Sequence, residues 1–159
     1  MNQSIEFLSD EQRLFIEKAL EGNNILVDAC IGSGKTTAIQ YLCDELPRTK
    51  KILYLTYNKL LKLDAQSKIH NRNVTVTNYH GYAFLELRKR GISVGVSDLI
   101  QTFIAKIEKV NSYDVLIIDE YQDIDLELAE LLEIIKKSSP DIQSRYPDSC
   151  CRRHAAEDL

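Results

Sequence analysis

A glycine-rich stretch, Ala29-Cys30-Ile31-Gly32-Ser33-Gly34-Lys35-Thr36-Thr37, decides the fold of this 159-residue chain. It follows a short apolar run at residues 25–27 and opens a segment of helical character that ends before Pro47. Gly32 and Gly34 let the backbone turn tightly and bring consecutive N–H groups close to an anion. An apolar strand, a glycine loop and a helix in this order predict a phosphate-binding loop that takes ATP.

Each residue type in the loop suits one part of a bound nucleotide. Lys35 is placed to reach the β- and γ-phosphates, which makes it a catalytic candidate, and the hydroxyl of Thr36 is placed to bind Mg²⁺. Ala29 stands where the strict pattern has its first glycine. The alternative is a glycine turn beside a helix that carries Lys and Thr by chance. The nucleotide-binding residues predicted in the loop are Ala29, Gly32, Ser33, Gly34, Lys35, Thr36 and Thr37.

An acidic pair supplies the expected second half of such a site. Asp119 and Glu120 directly follow the apolar run at residues 115–118. Ligands of open α/β sheets bind outside the carboxyl ends of the strands, where this pair would lie. Asp119 can hold Mg²⁺, and Glu120 can polarise an attacking water molecule. An apolar run ending in two acids could also precede a solvated helix cap, so the prediction depends on the glycine loop as well.

Apolar runs and helix-like segments alternate along the chain, which predicts an α/β fold. Short, continuous apolar strands between helices indicate a parallel sheet with helices on both faces. The predicted strands are residues 25–27, 52–56, 74–77 and 115–118, and the predicted helices are residues 9–20, 35–46, 58–69, 80–90, 97–107 and 125–137.

Several local features make finer predictions. Ser9 and Gln12 have the spacing of a capping box, and Ser97 can cap the helix that follows it. Residues 88–90 form a basic helix end that suits a solvated surface. Residues 141–143 look like the start of another strand, followed by an aperiodic tail at residues 144–159. The helix positions predicted to face the core include Leu14, Phe15, Ala19, Leu60, Leu61, Leu63, Leu99, Ile100, Phe103, Ile104 and Ile107.

Taken together, these motifs resemble superfamily 1 DNA helicases of the UvrD/Rep type. The loop has the Ala-x-x-Gly-x-Gly-Lys-Thr form of that family, and residues 119–123, Asp-Glu-Tyr-Gln-Asp, look like its Asp-Glu-x-Gln-Asp motif. The resemblance implies a RecA-like P-loop NTPase domain in which Gln122 senses the γ-phosphate. Residues 8–13 look like the Q motif, in which Gln12 would read the adenine edge with its amide. The alternative is that Gln12 only completes the capping box with Ser9.

Two further segments resemble family motifs that contact single-stranded DNA. Residues 55–59, Leu-Thr-Tyr-Asn-Lys, resemble motif Ia, and residues 77–81, Thr-Asn-Tyr-His-Gly, resemble motif Ib more loosely. Tyrosine rings can stack on bases and lysine can contact phosphate. Either tyrosine could instead be a core residue with its hydroxyl at the edge. The implied nucleic-acid contacts are Tyr57, Asn58, Lys59, Tyr79 and His80.

The resemblance covers roughly residues 7–143, which corresponds to the first RecA-like domain only. We therefore expect a truncated N-terminal ATP-binding domain at residues 1–143 and a disordered or non-native tail at residues 144–159. The second RecA-like domain carries the family's arginine finger, so the chain alone should hydrolyse ATP slowly and unwind nothing. A nucleotide-binding regulatory module that does not hydrolyse ATP is the alternative function, but Glu120 favours hydrolysis. A small P-loop kinase is disfavoured because no arginine-rich lid segment is evident.

Bulk composition sets weaker bounds. The net charge of −4 gives little support to a nucleic-acid coat protein, although a local basic groove remains compatible with it. The four cysteines match no zinc pattern, so reduced thiols in a cytoplasmic protein are expected. No apolar run approaches the length of a membrane span, and no membrane partner is expected.

Overall fold

Helices and strands alternate in the computed structural model, which describes residues 8–21, 35–57, 59–119 and 124–143. The predictions for the strand at 25–27, for the loop up to Gly34, for Asn58, for residues 120–123 and for the tail lie outside these ranges. The elements are α1 (Asp10–Leu20), α2 (Lys35–Glu45), β1 (Ile52–Thr56), α3 (Lys59–Lys68), β2 (Val74–Asn78), α4 (Tyr79–Lys89), a 3₁₀ turn (Val96–Asp98), α5 (Leu99–Lys106), β3 (Val115–Ile118), α6 (Leu126–Lys137) and α7 (Pro140–Gln143).

The described strands form one parallel sheet in the order β2-β1-β3. Ile52 at the start of β1 is aligned with Val74 of β2 on one side and with Val115 of β3 on the other. All five residues of β1 are buried because this strand lies between two others and is covered on both faces. The predicted parallel α/β sheet is therefore confirmed, as are the bounds of β1 and β3.

Side chains of β1 alternate between two apolar cores, as the pleat of a strand requires. Ile52 and Tyr54 point to one face of the sheet, and Leu53 and Leu55 point to the other. The α2-side core comprises Leu8, Ile16, Leu42, Cys43, Leu46, Ile52, Tyr54, Ala65, Val76 and Ile117. The α5-side core comprises Leu53, Leu55, Tyr79, Tyr82, Ala83, Leu87, Leu99, Ile100, Phe103, Ile107, Val110, Leu128, Leu131, Leu132 and Ile135.

The predicted helix ends are mostly confirmed by their capping bonds. The backbone N–H of Gln12 donates to Ser9 Oγ and that of Ser9 donates to Gln12 Oε1, which completes the capping box of α1. Asp125 caps α6 by accepting from the N–H of Leu128 at 2.9 Å. Gly91 ends α4 with a φ of 71°, a conformation that favours glycine because it has no Cβ.

Asn71 fixes the carboxyl end of α2, a role that the sequence analysis missed. Its buried side-chain amide donates to the carbonyl of Cys43 at 2.9 Å and to that of Leu46 at 3.1 Å. Asp44 accepts from the N–H of Asn71 at 2.9 Å. These bonds satisfy carbonyls that the end of a helix leaves without intrahelical donors. They hold the end of α2 at the edge of the sheet where β2 begins at Val74.

The basic end of α4 is more than a solvated surface. The Arg90 guanidinium donates to the Glu86 carboxylate at 2.8 Å and to the carbonyl of Lys109 at 2.6 Å. Lys89 also donates to Glu86, whose side chain is only 4% exposed. Burial raises the pKa of Glu86, but the bonds from Lys89 and Arg90 outweigh it and hold that pKa below its ordinary value. Arg90 thus joins α4 to the chain after α5.

Three leucines predicted to face the core are exposed instead. Leu60 and Leu63 are 78% and 49% exposed, because α3 packs through Ala65. At 3.6 residues per turn, these leucines lie about 140° and 160° around the helix from Ala65. Leu14 is likewise on the far side of α1 from Ile16, its buried residue. The periodicity of α5 was predicted correctly, with Leu99, Ile100, Phe103 and Ile107 buried and Ile104 partly buried.

Two other local predictions are wrong. Ser97 does not cap α5, since it lies inside a 3₁₀ turn and Asp98 occupies the N-cap position without a side-chain bond. Residues 141–143 are not a strand, because Pro140 opens the short helix α7. Proline suits the first turn of a helix, where its missing N–H costs nothing. Within the described ranges, no helix has the length and apolar character needed to cross a membrane.

Candidate nucleotide-binding site

Among the described residues, several that were predicted to bind nucleotide or nucleic acid lie at the carboxyl edge of the sheet. Because the three strands are parallel and in register, they end at the same edge, with Thr56, Asn78 and Ile118 as their last residues. Tyr57 and Asp119 directly follow two of these strands. Open parallel sheets bind their ligands at this edge.

Asp119 is held at both its backbone and its side chain by the central strand. Its N–H donates to the carbonyl of Leu55 at 3.1 Å, and its Oδ2 accepts from the Tyr54 hydroxyl at 2.9 Å. Asp119 is 3% exposed and Tyr54 is fully buried. Burial and the neighbouring carboxylate raise the pKa of Tyr54, so its hydroxyl stays a donor across the physiological range. The Asp119 side chain therefore has a fixed position on the α2 side of the sheet.

Helix α2 covers this same face and runs antiparallel to the strands, away from the carboxyl edge. The amide of Gln40, halfway along α2, donates to Asp64 of α3 at 3.1 Å. Both helices end near Asn71, at the opposite edge of the sheet, and α3 begins just after β1. With 11 residues, α2 is about 16 Å long, close to the span of a five-residue strand. The start of α2 at Lys35 therefore points toward the edge that carries Asp119.

The loop residues themselves are only partly described. Helix α2 begins at Lys35, as predicted, with Thr36 half-buried and Thr37 exposed in its first turn. Residues 29–34 and the side chain of Lys35 lie outside the described part, as do Glu120 and Gln122. A helix N-terminus presents N–H groups that favour an anion.

Gln12 takes part in the capping box, which was the alternative to adenine recognition. Its side-chain oxygen accepts from the Ser9 N–H at 2.8 Å. An amide oxygen has two lone pairs, so one bond to the cap does not use its whole capacity. A role in reading adenine would require the side chain to serve both purposes.

Three of the residues predicted to contact DNA, Tyr57, Tyr79 and His80, line a cavity of about 180 Å³. Tyr57 is 45% exposed, and His80 and Lys59 are exposed as well. Tyr79 is 1% exposed within the α5-side core, which is the position of a core tyrosine rather than of a stacking ring. The cavity is lined by Tyr57, Tyr79, His80, Ile100, Asp125, Glu127 and Leu128.

Gly81 lies under the cap of α4, where no larger residue fits without a shift. Asn78 caps this helix by accepting from the Gly81 N–H at 2.9 Å. A Cβ on Gly81 would lie 2.7 Å from Asn78 Oδ1 and 2.8 Å from Thr77 Oγ1. In the segment that resembles motif Ib, Asn78 caps helix α4, and Gly81 leaves room for the Asn78 side chain.

Gly81→Ala is expected to destabilise the fold by about 1 kcal/mol, because the added methyl displaces the Asn78 cap. An ordinary glycine-to-alanine change inside a helix would instead stabilise it by up to about 1 kcal/mol. Urea denaturation followed by circular dichroism measures the difference. Gly95→Ala is the matched control, since an added Cβ there meets no atom within 4 Å. Equal stability of both variants would contradict the steric argument.

Comparison with known proteins agrees with this geometry. A family profile described as "AAA domain" matches residues 12–142. The chain belongs to this AAA domain family. It is also 34% identical over 103 residues to the F-box DNA helicase protein 1 of Schizosaccharomyces pombe. That match covers 64% of this chain but only 10% of the relative, so the chain spans a small part of the relative's length. No solved structure matches the chain.

These matches confirm the resemblance to the N-terminal domain of superfamily 1 DNA helicases. The described part of the sheet, three parallel strands with helices on both faces, has the RecA-like α/β arrangement that the resemblance implies. Together the matches and the fold support a helicase-like ATPase domain.

Tyr54 is the residue at this site that the sequence analysis did not single out. A signal was present, because a tyrosine hydroxyl inside a fully buried strand needs a hydrogen-bond partner. The partner belongs to another strand, and only the alignment of β1 with β3 brings the two together.

Proposed function

We propose that this domain binds and hydrolyses ATP as part of a superfamily 1, UvrD-like DNA helicase, and drives translocation along single-stranded DNA together with a second RecA-like domain. The carrying observation is the buried carboxylate of Asp119 at the carboxyl edge of the sheet. It lies on the face covered by α2, the helix that begins at Lys35 of the glycine loop. A phosphate loop and a fixed acidic residue on one face are the two halves of a magnesium–nucleotide site.

Two of the described residues carry oxygen atoms of the kind that hold Mg²⁺ beside a bound nucleotide. Mg²⁺ prefers oxygen ligands and is often held by one carboxylate together with substrate phosphates. The Asp119 carboxylate and the hydroxyl of Thr36, in the first turn of α2, would supply the protein ligands. Bound Mg²⁺ would neutralise charge on the phosphates as the terminal bond breaks. No cluster of three or more His, Cys, Asp or Glu side chains forms a self-contained metal site within the described residues.

The remaining roles are assigned from the sequence. Lys35 would bind the β- and γ-phosphates, and Glu120 would orient and polarise the attacking water. Gln122 would respond to the presence of the γ-phosphate, and Gln12 would bind adenine with the part of its amide that the cap leaves available.

Nucleic acid would approach the same edge of the sheet from the side of α4. Tyr57 offers an exposed ring, Lys59 a phosphate contact and His80 a second polar aromatic group. The carboxylates of Asp125 and Glu127, which also line the cavity, would repel phosphate. We therefore propose that the phosphate backbone of the DNA lies near Lys59 and that a base stacks on Tyr57.

A fluorescent ATP analogue titrated into the whole chain tests the proposal. The analogue should bind more tightly in the presence of Mg²⁺ than in the presence of a chelator. In a second measurement, phosphate release from ATP is followed with and without single-stranded DNA. Mg²⁺-dependent binding with slow phosphate release, which DNA does not accelerate in this chain alone, is the expected result. Binding without any phosphate release, under conditions in which DNA is also bound, would favour a regulatory nucleotide-binding module instead.

Tyr57→Ala is expected to weaken single-stranded DNA binding by about 5-fold to about 150-fold, since stacking of one base contributes about 1–3 kcal/mol. Fluorescence anisotropy of a labelled oligonucleotide measures the affinity. Tyr57→Phe keeps the ring and should bind as the wild type does. Equal losses in both variants would show that the hydroxyl matters rather than the ring, and no loss in either would remove Tyr57 from the interface.

A further inference from the structure

We propose that Tyr54 is a positioning residue for the magnesium site: its hydroxyl fixes the Asp119 carboxylate and thereby sets the affinity of the nucleotide complex for Mg²⁺. The inference rests on the proposed function, because it assigns Tyr54 a role at that same site. Tyr54 would contact neither nucleotide nor metal, and would act only through Asp119.

The hydroxyl of Tyr54, which is the donor, has a fixed position because its ring is buried. Tyr54 is fully buried in the middle of β1, and its ring belongs to the α2-side core with Leu42, Ala65 and Val76. A buried ring in a packed core has few alternative rotamers, so the position of its hydroxyl is set by the sheet and the helices around it.

The acceptor is tied to the same strand at two points. The Asp119 N–H donates to the carbonyl of Leu55, and Asp119 Oδ2 accepts from the hydroxyl of the preceding residue, Tyr54, at 2.9 Å. The backbone and the side chain of Asp119 are thus both hydrogen-bonded to β1. Outer-shell partners of this kind orient metal ligands, and their loss costs about 10-fold to 100-fold in metal affinity.

Packing alone does not account for a tyrosine at this position. A phenylalanine ring would fill the same space without a polar group to desolvate, and burying a hydroxyl or a carboxylate costs free energy that its hydrogen bond only offsets. The bond between Tyr54 and Asp119 therefore adds little to the free energy of unfolding, but it holds a carboxylate oxygen in a fixed place.

The test compares Tyr54→Phe with the wild-type chain in a Mg²⁺ titration at a fixed concentration of a fluorescent ATP analogue. The Mg²⁺ concentration at half-saturation should rise about 10-fold, at the lower end of the range for an outer-shell partner. Nucleotide affinity in a chelator should be unchanged, since the phosphate loop is intact. Tyr82→Phe is the matched control, because it removes a buried hydroxyl from the α5-side core.

A double-mutant cycle with Asp119→Asn separates the possible outcomes. Tyr54→Phe should have no further effect on the Mg²⁺ dependence once Asn replaces Asp119. If wild type and Asp119→Asn both bind the analogue without regard to Mg²⁺, the proposed magnesium site fails and the inference fails with it. If Asp119→Asn abolishes the Mg²⁺ dependence but Tyr54→Phe matches wild type, the positioning role alone is overturned. A loss of affinity in Tyr54→Phe that is equal with Mg²⁺ and with chelator also overturns it, because that pattern marks a general structural defect.

Discussion

Lys35→Ala is expected to weaken binding of the Mg²⁺–ATP analogue by about 30-fold or more, because removing one partner of a desolvated charge pair costs about 2–5 kcal/mol. The lysine is the first residue of α2, and that helix points its N-terminus toward the edge of the sheet that carries Asp119. An ammonium at this end would meet the β- and γ-phosphates while the backbone N–H groups of the loop meet the remaining oxygens. Isothermal titration calorimetry or analogue fluorescence measures the loss.

The control for this variant is Lys51→Ala, which removes an exposed lysine just before β1, at the opposite edge of the sheet. Both variants change the net charge by the same amount, so a general electrostatic effect on an anionic ligand would appear in both. Unchanged affinity in Lys35→Ala, in a chain that circular dichroism shows to be folded, would refute the phosphate site. An equal loss in the two variants would assign the effect to net charge instead.

The sheet was predictable because its strands are short and uninterrupted apolar runs. Residues 52–56 are buried and residues 115–118 are at least half-buried between two helical layers. Cover on both faces leaves a continuous apolar run in the sequence, which polar neighbours end sharply. The facing of α3 was not predictable in the same way. Its leucines outnumber its buried positions, and Ala65 packs against the sheet because a small side chain lets the helix come close. Periodicity counts apolar residues and does not reveal which of them the neighbouring layer covers.

Some residues of the candidate site could likewise be predicted from the sequence, and others could not. Asp119 was predictable from its place at the end of an apolar run, and the run determines where the strand stops. Tyr54 was not, since its role depends on an alignment between strands far apart in the sequence. Tyr57 and Tyr79 are both tyrosines in segments that resemble DNA-contacting motifs. Tyr57 is nevertheless 45% exposed, whereas Tyr79 is 1% exposed. The difference arises because Tyr57 follows the end of β1, whereas Tyr79 opens a helix that packs on the α5-side core.

Phe103→Ala is expected to lower the free energy of unfolding by about 3–5 kcal/mol, the range for a large aromatic residue removed from a core. Phe103 is fully buried in α5, and its ring meets that of Tyr82 with centroids 5.9 Å apart and planes tilted by 60°. Such edge contacts between rings add to the burial of apolar area. Helix α5 has only eight residues, so packing of this face, more than its own hydrogen bonds, holds it between α4 and α6.

Phe84→Ala provides the comparison that isolates burial from residue type. Phe84 lies on the adjacent helix α4 and is 47% exposed, so its truncation should change the free energy of unfolding by no more than about 0.5 kcal/mol. Urea denaturation of both variants, monitored by circular dichroism, gives the two values on one scale. If Phe103→Ala lost no more than Phe84→Ala, the α5-side core would not support the sheet face that carries Leu53 and Leu55. A large loss should also weaken binding of the ATP analogue equally with Mg²⁺ and with chelator as the folded fraction falls, because Phe103 lies on the face of the sheet opposite Asp119.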